Sequence, residues 1–318
     1  MTQDTGVKRG FMRFGIAFFA LLAINTGLQY GSQFIIEAIN PTILDHPSAI
    51  WIMSTVPLYV FALPVCLAIL GKRETGAEYE KSRLTLPLFL LATVICFGAS
   101  SIGNLVGNFL IQLFSAITKT QFTNPLMEIL PGSNPVYLFV TTVIIAPMGE
   151  EFIFRRLAID STRRYGERFA VILSAAMFAA FHTNIFQIPY AFLVGLVLGY
   201  VYIKTNRVIY PVLLHAIMNF FGGVFSTQML DRMNAILESG ADMTETNAAV
   251  LLALSLITLV YVTFLFGCGI TTCILAIVKR SSVKLDKGGE KVNVLKSPFI
   301  VLFFAACLVL TILRIILG

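Results

Sequence analysis

The chain has 318 residues, of which 57% are hydrophobic and only 13% are charged, and its mean hydropathy is +0.84. Soluble domains carry about 25% charged residues, so the composition excludes an ordinary soluble domain. The net charge of +6 does not indicate nucleic-acid binding, because the basic residues lie in short loops between apolar segments. We predict an all-α, polytopic membrane helix bundle whose partner is the lipid bilayer.

Nine apolar segments of the sequence are candidates for membrane-spanning helices, each of which needs about 20 residues to cross a bilayer. They cover residues 14–36, 51–70, 85–115, 135–154, 169–186, 189–203, 208–226, 249–278 and 297–317. The fifth and sixth segments are short and almost contiguous, so we expect one of them to be half-buried in the membrane. The fold predicted is therefore a single membrane domain over residues 1–318 with eight or nine transmembrane helices.

The positions of the basic residues predict the orientation of the chain. If the nine segments alternate across the bilayer, every Lys and Arg except Lys119, Arg232 and Arg314 falls on the side of the N-terminus. Basic loops of membrane proteins lie mainly in the cytoplasm. We therefore expect a cytoplasmic N-terminus and a C-terminus on the outer side.

Two adjacent glutamates, Glu150 and Glu151, lie within the inner part of the apolar fourth segment. An ionised side chain inside a bilayer costs about 2.5–3.5 kcal/mol on insertion scales, so such residues usually have partners and a function. Glu151 and Arg155 are four residues apart, in the favourable order for an ion pair on one helix face. We predict that Glu151 pairs with Arg155 and that Glu150 remains available for chemistry. The alternative is that both glutamates simply reach the membrane interface.

Two of the three histidines, His182 and His215, also lie in apolar segments, whereas His46 lies in a loop and is interpreted as a surface residue. Phe178 precedes His182 by four residues, and Asn219 follows His215 by four, so each pair shares a helix face. Either histidine alone could serve only to hydrogen-bond two helices. Together with the glutamates, however, they form a set of titratable residues on three separate helices.

Two kinds of hydrolytic chemistry fit this set of residues. In the first, Glu150, His182 and His215 hold a Zn²⁺ ion with one position left open for water. In the second, Glu150 and His182 activate a water molecule without a metal, while His215 and Asn219 stabilise the developing oxyanion. The sequence contains no HExxH motif, and the need for a metal stays open at this point.

Three motifs occur in order on successive apolar helices: EExxxR at 150–155, FxxxH at 178–182 and HxxxN at 215–219. In this order they resemble the CPBP family of CAAX-prenyl-protease-like and bacteriocin-processing membrane proteases, also called the Abi family. The resemblance covers about residues 135–226 and implies that this region is the catalytic core. The helices within 14–115 and 249–317 would flank it.

The resemblance implies an intramembrane endopeptidase, described as a metalloprotease or as a metal-independent enzyme that uses a glutamate-activated water. The resemblance implies that Glu150 is the catalytic base and that Glu151 and Arg155 form a supporting ion pair. It also implies that His182 binds the water and that His215 and Asn219 stabilise the oxyanion. Phe178 would support the site. The substrate would be a protein or peptide entering from the membrane or the cytoplasmic side, and the location would be a bacterial plasma membrane.

Two other classes of function stay open at the level of the sequence. The first is a transporter or proton-coupled carrier, in which intramembrane Glu and His residues act as a relay. The second is a non-enzymatic membrane protein, for example one that confers bacteriocin immunity or regulates another protein. The protease hypothesis also requires the fourth helix to continue past Arg156, because otherwise Glu150 and His182 would lie at different depths in the membrane.

Overall fold

The computed structural model describes residues 2–44, 46–71, 79–124, 126, 130, 133–238, 245–278, 284–289 and 292–317. Within these ranges the chain forms nine helices and no strand. We number them α1 (Thr2–Ile39), α2 (Pro47–Leu70), α3 (Leu86–Thr118), α4 (Pro135–Tyr165), α5 (Glu167–Phe181), α6 (Ile188–Thr205), α7 (Ile209–Glu238), α8 (Glu245–Val278) and α9 (Pro298–Leu317). The all-α class predicted from the sequence is confirmed.

Eight of these helices are long and apolar enough to cross a membrane. The exception is α5, which has 15 residues. At a rise of about 1.5 Å per residue it reaches about 22 Å, which is less than the hydrocarbon thickness of about 30 Å. This helix corresponds to the fifth predicted segment, and the expectation that one of the two short segments is half-buried in the membrane stays a prediction.

Helix α4 continues past Arg156 as predicted, and it ends at Tyr165. The following Gly166 has a φ of +112°, a conformation that favours glycine, and it reverses the chain into α5. Glu150 precedes this turn by about as many residues as His182 follows it. At 1.5 Å per residue both side chains therefore lie at a similar depth, about 22 Å from the turn.

Four loops meet at one end of the bundle, which we call the basic face; it comprises residues 79–85, 163–168, 204–207 and 284–289. The Ser82 hydroxyl donates to the Lys204 carbonyl over 2.7 Å, and the Lys204 ammonium donates to the Lys284 carbonyl over 2.5 Å. The Arg168 amide donates to the Asp286 carbonyl over 3.1 Å. Loops that the charge pattern placed on one side of the membrane are thus bonded to one another.

The two ends of the described chain lie on opposite sides of the bundle. Helix α9 starts beside the first turns of α1, since a Cβ atom at Gly15 would lie 3.0 Å from the Ser297 hydroxyl. Both helices then run away from the basic face, and α5 with α6 forms a hairpin that leaves and returns to it. Five of the basic residues used for the orientation lie outside the described residues: Lys72, Arg73, Lys279, Arg280 and Lys291.

Close packing of α3 fixes the helices behind the site. A Cβ atom at Gly103 would lie 2.2 Å from the Tyr190 Cα of α6, so only glycine permits this approach of the two backbones. A Cβ atom at Gly98 would lie 2.4 Å from the Cys268 carbonyl oxygen of α8. Small residues that let helices approach closely are typical of membrane helix interfaces, where van der Waals packing drives association.

A second packing centre joins α1, α4 and α5. Phe18, Phe154 and Phe178 are almost completely buried there, and the Phe154 ring meets the Phe178 ring edge to face at 5.3 Å. Such aromatic pairs add about 0.5–1.5 kcal/mol beyond the burial of their area. This cluster holds the middle of α4 against the end of α5, the two places from which the glutamates and His182 project.

Candidate active site

The turn of α4 that carries the glutamates lies between two π-helical stretches, Phe139–Ile145 and Phe152–Ile159. A third π-helical stretch, Phe220–Phe225, begins directly after Asn219 on α7. Such turns are rare and occur frequently at functional sites. Because each one changes the register of the helix, it also changes the direction in which the neighbouring side chains point.

Glu151 is completely buried and makes an ion pair with Arg155, as the sequence predicted. The Arg155 Nε atom lies 2.9 Å from Glu151 Oε2, and both side chains are 0% exposed. The guanidinium also donates to Glu151 Oε1 over 3.4 Å and to the Ser174 hydroxyl over 3.1 Å. Ser174 in turn donates to the Phe154 carbonyl over 2.5 Å, so α5 holds the arginine from the other side.

The same carboxylate binds His215, a contact that the sequence did not indicate. His215 Nδ1 lies 2.9 Å from Glu151 Oε1, so the imidazole N–H donates to the carboxylate. A carboxylate at one ring nitrogen fixes the orientation of the imidazole and directs the other nitrogen elsewhere. Here Nε2 is directed to the side of Glu150, whose Oε2 atom is 3.9 Å away.

Phe178 lies between the two histidines. Its ring meets those of His182 and His215 edge to face, at centroid distances of 4.8 Å and 5.7 Å. The Arg155 guanidinium lies 4.9 Å from the same ring, within the range of a cation–π contact. The supporting position predicted for Phe178 therefore corresponds to contacts with three of the other predicted site residues.

Glu150 differs from its neighbour because its side chain is 21% exposed. Within the described part of the chain, its carboxylate makes the 3.9 Å contact with His215 but no hydrogen bond. The preceding Gly149 packs directly against α2, since a Cβ atom there would lie 2.0 Å from the Tyr59 ring. This contact fixes the backbone of α4 beside a carboxylate that is free to bind water.

Glu150 and His182 line the same cavity, which has a volume of about 190 Å³. His182 Nδ1 donates to the Phe178 carbonyl over 2.8 Å, so in a neutral ring Nε2 is the atom that accepts a hydrogen bond. Polar side chains of α1, Asn25 and Gln29, line the cavity too. A polar cavity of this size can hold several water molecules.

The position of Asn219 does not correspond to a free oxyanion donor. Its amide donates to the Thr142 carbonyl over 2.8 Å, within the first π-helical stretch of α4, and Asn219 is not among the residues that line the cavity. This bond connects α7 to α4 and uses one of the two N–H groups of the Asn219 amide. The other N–H group is the one that could serve the role implied by the family resemblance.

The donor set does not fit the zinc site considered from the sequence. The described residues contain no group of three or more His, Cys, Asp or Glu side chains that could hold an ion, whereas zinc takes at least three protein ligands. The His215–Glu151 bond does not bear on this question, because a histidine that binds a metal through one nitrogen often donates its other N–H to a carboxylate. We therefore derive no catalytic step through a metal.

Several residues that build the site were missed by sequence reasoning. Ser174 could have been found as a hydroxyl within the apolar helix that carries His182. Asn25 and Gln29 are four residues apart in the apolar α1, and this spacing places two amides on one helix face. Tyr59 gave no signal, because an aromatic residue in a membrane helix is usually packing.

The fold and the site together define a polytopic membrane protein with a buried Glu–Arg–His cluster beside a partly exposed glutamate that lines a cavity. Residues 132–221 match the family model described as "Type II CAAX prenyl endopeptidase Rce1-like". All three motifs lie within this segment. The chain therefore carries an Rce1-like region, and the family resemblance predicted from the motifs is confirmed.

Three curated bacterial relatives are similar to the chain over part of its length. The membrane-embedded CAAX protease MroQ of Staphylococcus aureus is 26% identical over 153 residues, which cover 46% of this chain and 60% of that protein. The UPF0177 protein YxdF of Lactococcus lactis is 29% identical over 35% of this chain and 61% of the relative. The putative membrane peptidase YdiL of Bacillus subtilis is 24% identical over 55% of this chain and 71% of the relative.

The chain thus spans only about three-fifths of the length of the first two relatives. No solved structure shows significant similarity to it. These comparisons support a membrane protease of the CAAX-protease type within a lipid bilayer.

Proposed function

We propose that the protein is an intramembrane endopeptidase that hydrolyses a peptide bond in a membrane-associated protein or peptide, with Glu150 as the base that activates water. The observation that carries the proposal is the contrast at the glutamate pair. Glu151 is saturated by Arg155 and His215, whereas Glu150 faces a cavity shared with His182. The names of two relatives, a membrane-embedded CAAX protease and a putative membrane peptidase, support the same class.

In the proposed reaction, a water molecule in the cavity hydrogen-bonds to the Glu150 carboxylate and to His182 Nε2. Glu150 takes one proton as the water oxygen attacks the scissile carbonyl carbon. The tetrahedral intermediate then collapses, the C–N bond breaks, and the proton on Glu150 passes to the departing amine. Base catalysis of this kind contributes typically about 10²–10⁴-fold to the rate.

The oxyanion of the tetrahedral intermediate needs hydrogen-bond donors that are already in position. His215 is the best-placed residue for this task, because Glu151 accepts its Nδ1–H and directs Nε2 to the side of Glu150. A ring that carries a proton on Nε2 as well donates it to the oxyanion. The second N–H of Asn219 is a further donor on the same helix, one turn beyond His215.

The reaction is tested with the full chain in liposomes and a pool of random-sequence quenched peptides as the probe. In water enriched in ¹⁸O we expect one ¹⁸O atom in each new carboxylate, as water attack requires. Cleavage should be lost in Glu150→Gln while the protein stays folded. Cleavage equal in both proteins would contradict the proposal, and a Glu150-dependent ion flux without cleavage would favour the carrier alternative.

We also propose the orientation expected from the sequence, with the basic face and the N-terminus in the cytoplasm of a bacterium. The clustering of the four basic loops at one end of the bundle supports this orientation, as do the bacterial relatives. Single cysteines introduced in the basic face, in a variant without the natural cysteines, should resist an impermeant maleimide added to intact cells. If these cysteines are labelled without permeabilisation, the basic face lies outside the cell and the proposed orientation is wrong.

A further inference from the structure

Arg314 is an exposed charged residue in the last turn of α9. It is the only Asp, Glu, Lys or Arg in the sequence of α9, Pro298–Leu317, which is one of the candidate membrane spans. Near the end of a span a long cationic side chain can reach the membrane interface, so the case for a function of Arg314 rests on the cavity that it lines. None of the carboxylates in the described part of the chain lies within ion-pair distance of its guanidinium, although a membrane cation usually has such a partner.

Arg314 lines the same cavity as Glu150 and His182. Glu150 and Arg314 are the two charged residues among the lining residues, and the remaining polar groups there, such as Asn25 and Gln29, are neutral. The cavity therefore offers one carboxylate to activate water and one guanidinium that makes no ion pair with the described acidic residues.

The two charged residues lie at different heights in the cavity. Ser297 is beside Gly15, and α9 runs from there in the same direction as α1, so Arg314 lies at about the height of Tyr30. Glu150 lies 14 residues before Arg164, which is beside Gly10, and Arg314 lies 17 residues beyond Ser297. Measured along α1 from Gly10 and Gly15, the two charged residues are about eight residues apart, or about 12 Å at 1.5 Å per residue. An extended peptide covers this distance with about three to four residues. Arg314 thus lies further from the basic face than the reacting groups.

We propose that Arg314 is a specificity-determining residue that binds a carboxylate of the peptide substrate and so sets which bond reaches Glu150. The inference rests on the proposed function and adds the chemistry of the substrate to it. The carboxylate is an acidic side chain or the C-terminus of the peptide, about three to four residues from the scissile bond. A guanidinium binds a carboxylate in a bidentate, charge-assisted manner, which suits a residue that fixes the register of a substrate.

The test uses four matched pools of octapeptides whose random positions hold only uncharged residues and which differ in one added charge. The first pool has an amidated C-terminus, the second has a free C-terminal carboxylate, the third is amidated and carries one glutamate, and the fourth is amidated and carries one lysine. Binding is measured on the full chain with Glu150→Gln, which keeps the peptides intact, and hydrolysis is measured on the wild-type chain. We expect the second or the third pool to bind about tenfold more tightly than the first, which is the effect of one charge-assisted contact.

The variants identify the residue responsible. Arg314→Gln should remove the tenfold preference, Arg314→Lys should keep part of it, and Arg314→Glu should shift the preference to the lysine pool. Arg232→Gln is the matched control, because Arg232 is also an exposed arginine of a membrane-spanning helix but does not line the cavity. In the wild-type chain the preference should appear mainly in KM, because Arg314 does not touch the reacting atoms.

The outcomes separate this inference from the proposed function. If the wild-type chain cuts all pools equally well, or if Arg314→Gln keeps the preference, the inference is wrong and the protease proposal stands. If no pool is cut but the carboxylate pools still bind tenfold more tightly through Arg314, the carboxylate site stands and the protease proposal fails. A preference for the second pool over the third identifies the C-terminal carboxylate as the group bound.

Discussion

Glu150 and Glu151 are adjacent residues of the same type, yet they occupy opposite kinds of environment. The carboxylate of Glu151 has no exposed surface and is shared between Arg155 and His215. The carboxylate of Glu150 is 21% exposed and lines a cavity. Since neighbouring helical residues point about 100° apart, one turn of α4 can place one carboxylate in the core and the next at the wall of a cavity. The contrast shows how a membrane helix can tolerate two acids in succession.

The largest loss of activity should come from removing the charge of Glu150, the partly exposed member of the pair. In Glu150→Gln we expect kcat/KM to fall by about 10³-fold, within the range for loss of a general base. The midpoint of thermal unfolding should stay unchanged, because the carboxylate makes no hydrogen bond to the described residues. The measurement combines peptide hydrolysis with an unfolding curve in detergent. A Glu150→Gln enzyme with near-normal activity would make Glu150 a structural residue.

Breaking the anchor should instead lower stability. In Arg155→Ala, the buried Glu151 loses its ion-pair partner, and removing one member of a buried pair typically costs about 3–5 kcal/mol. The matched control is Arg156→Ala, since Arg156 is 45% exposed and pairs with Asp160 at the same spacing. Asp160 keeps the Tyr202 hydroxyl as a donor in this variant, so we expect a smaller loss of stability than in Arg155→Ala. Equal unfolding midpoints for the two variants would contradict the assignment of Glu151 and Arg155 as the anchor.

Local spacing made part of this site predictable. The Glu151–Arg155 pair follows from four-residue spacing on one helix, and the continuation of α4 past Arg156 followed from the need for equal depth. The class of fold followed from composition and from the length of the apolar segments. The order of the three motifs was sufficient to identify the resemblance that the family model confirms over residues 132–221.

Contacts between distant segments could not be predicted in the same way. The Glu151–His215 bond joins residues 64 positions apart, and the Asn219 amide reaches Thr142 across 77 positions. Both depend on how α7 packs on α4 and on the π-helical turns that redirect side chains. Pairing of this kind is a property of tertiary packing and leaves no periodic signal in the sequence.

A substitution next to the pair tests whether the backbone of α4 must stay close to α2. In Gly149→Ala the new methyl group would lie 2.0 Å from the Tyr59 ring, so the ring or the helix must move. Overpacking of this kind costs about 1–3 kcal/mol, and activity should fall because Glu150 is the next residue. The double variant Gly149→Ala with Tyr59→Ala should recover part of the activity. A double variant that is no better than Gly149→Ala would exclude Tyr59 as the cause.

A smaller effect is expected from the aromatic ring that separates the histidines. Phe178→Leu keeps an apolar side chain but removes the edge-to-face contacts with His182 and His215. We expect kcat to fall about tenfold, equivalent to about 1.4 kcal/mol, with little change in KM. Phe97→Leu is the control, because Phe97 is equally buried and packs on the rings of Phe221 and Phe264 instead. Equal losses in both variants would indicate a general packing effect.

The smallest effect should follow treatment with a metal chelator. If Glu150 activates water without an ion, incubation with 1,10-phenanthroline should change the rate of peptide hydrolysis by less than about twofold, whereas zinc enzymes depend on the ion to activate their water. The expectation rests on the donor set, since the described residues contain no group of three metal ligands. Loss of activity that added Zn²⁺ restores would require His182 and His215 to approach Glu150 in the working enzyme. Both glutamates would then stabilise the same ion, Glu150 by direct contact and Glu151 through its hydrogen bond with His215.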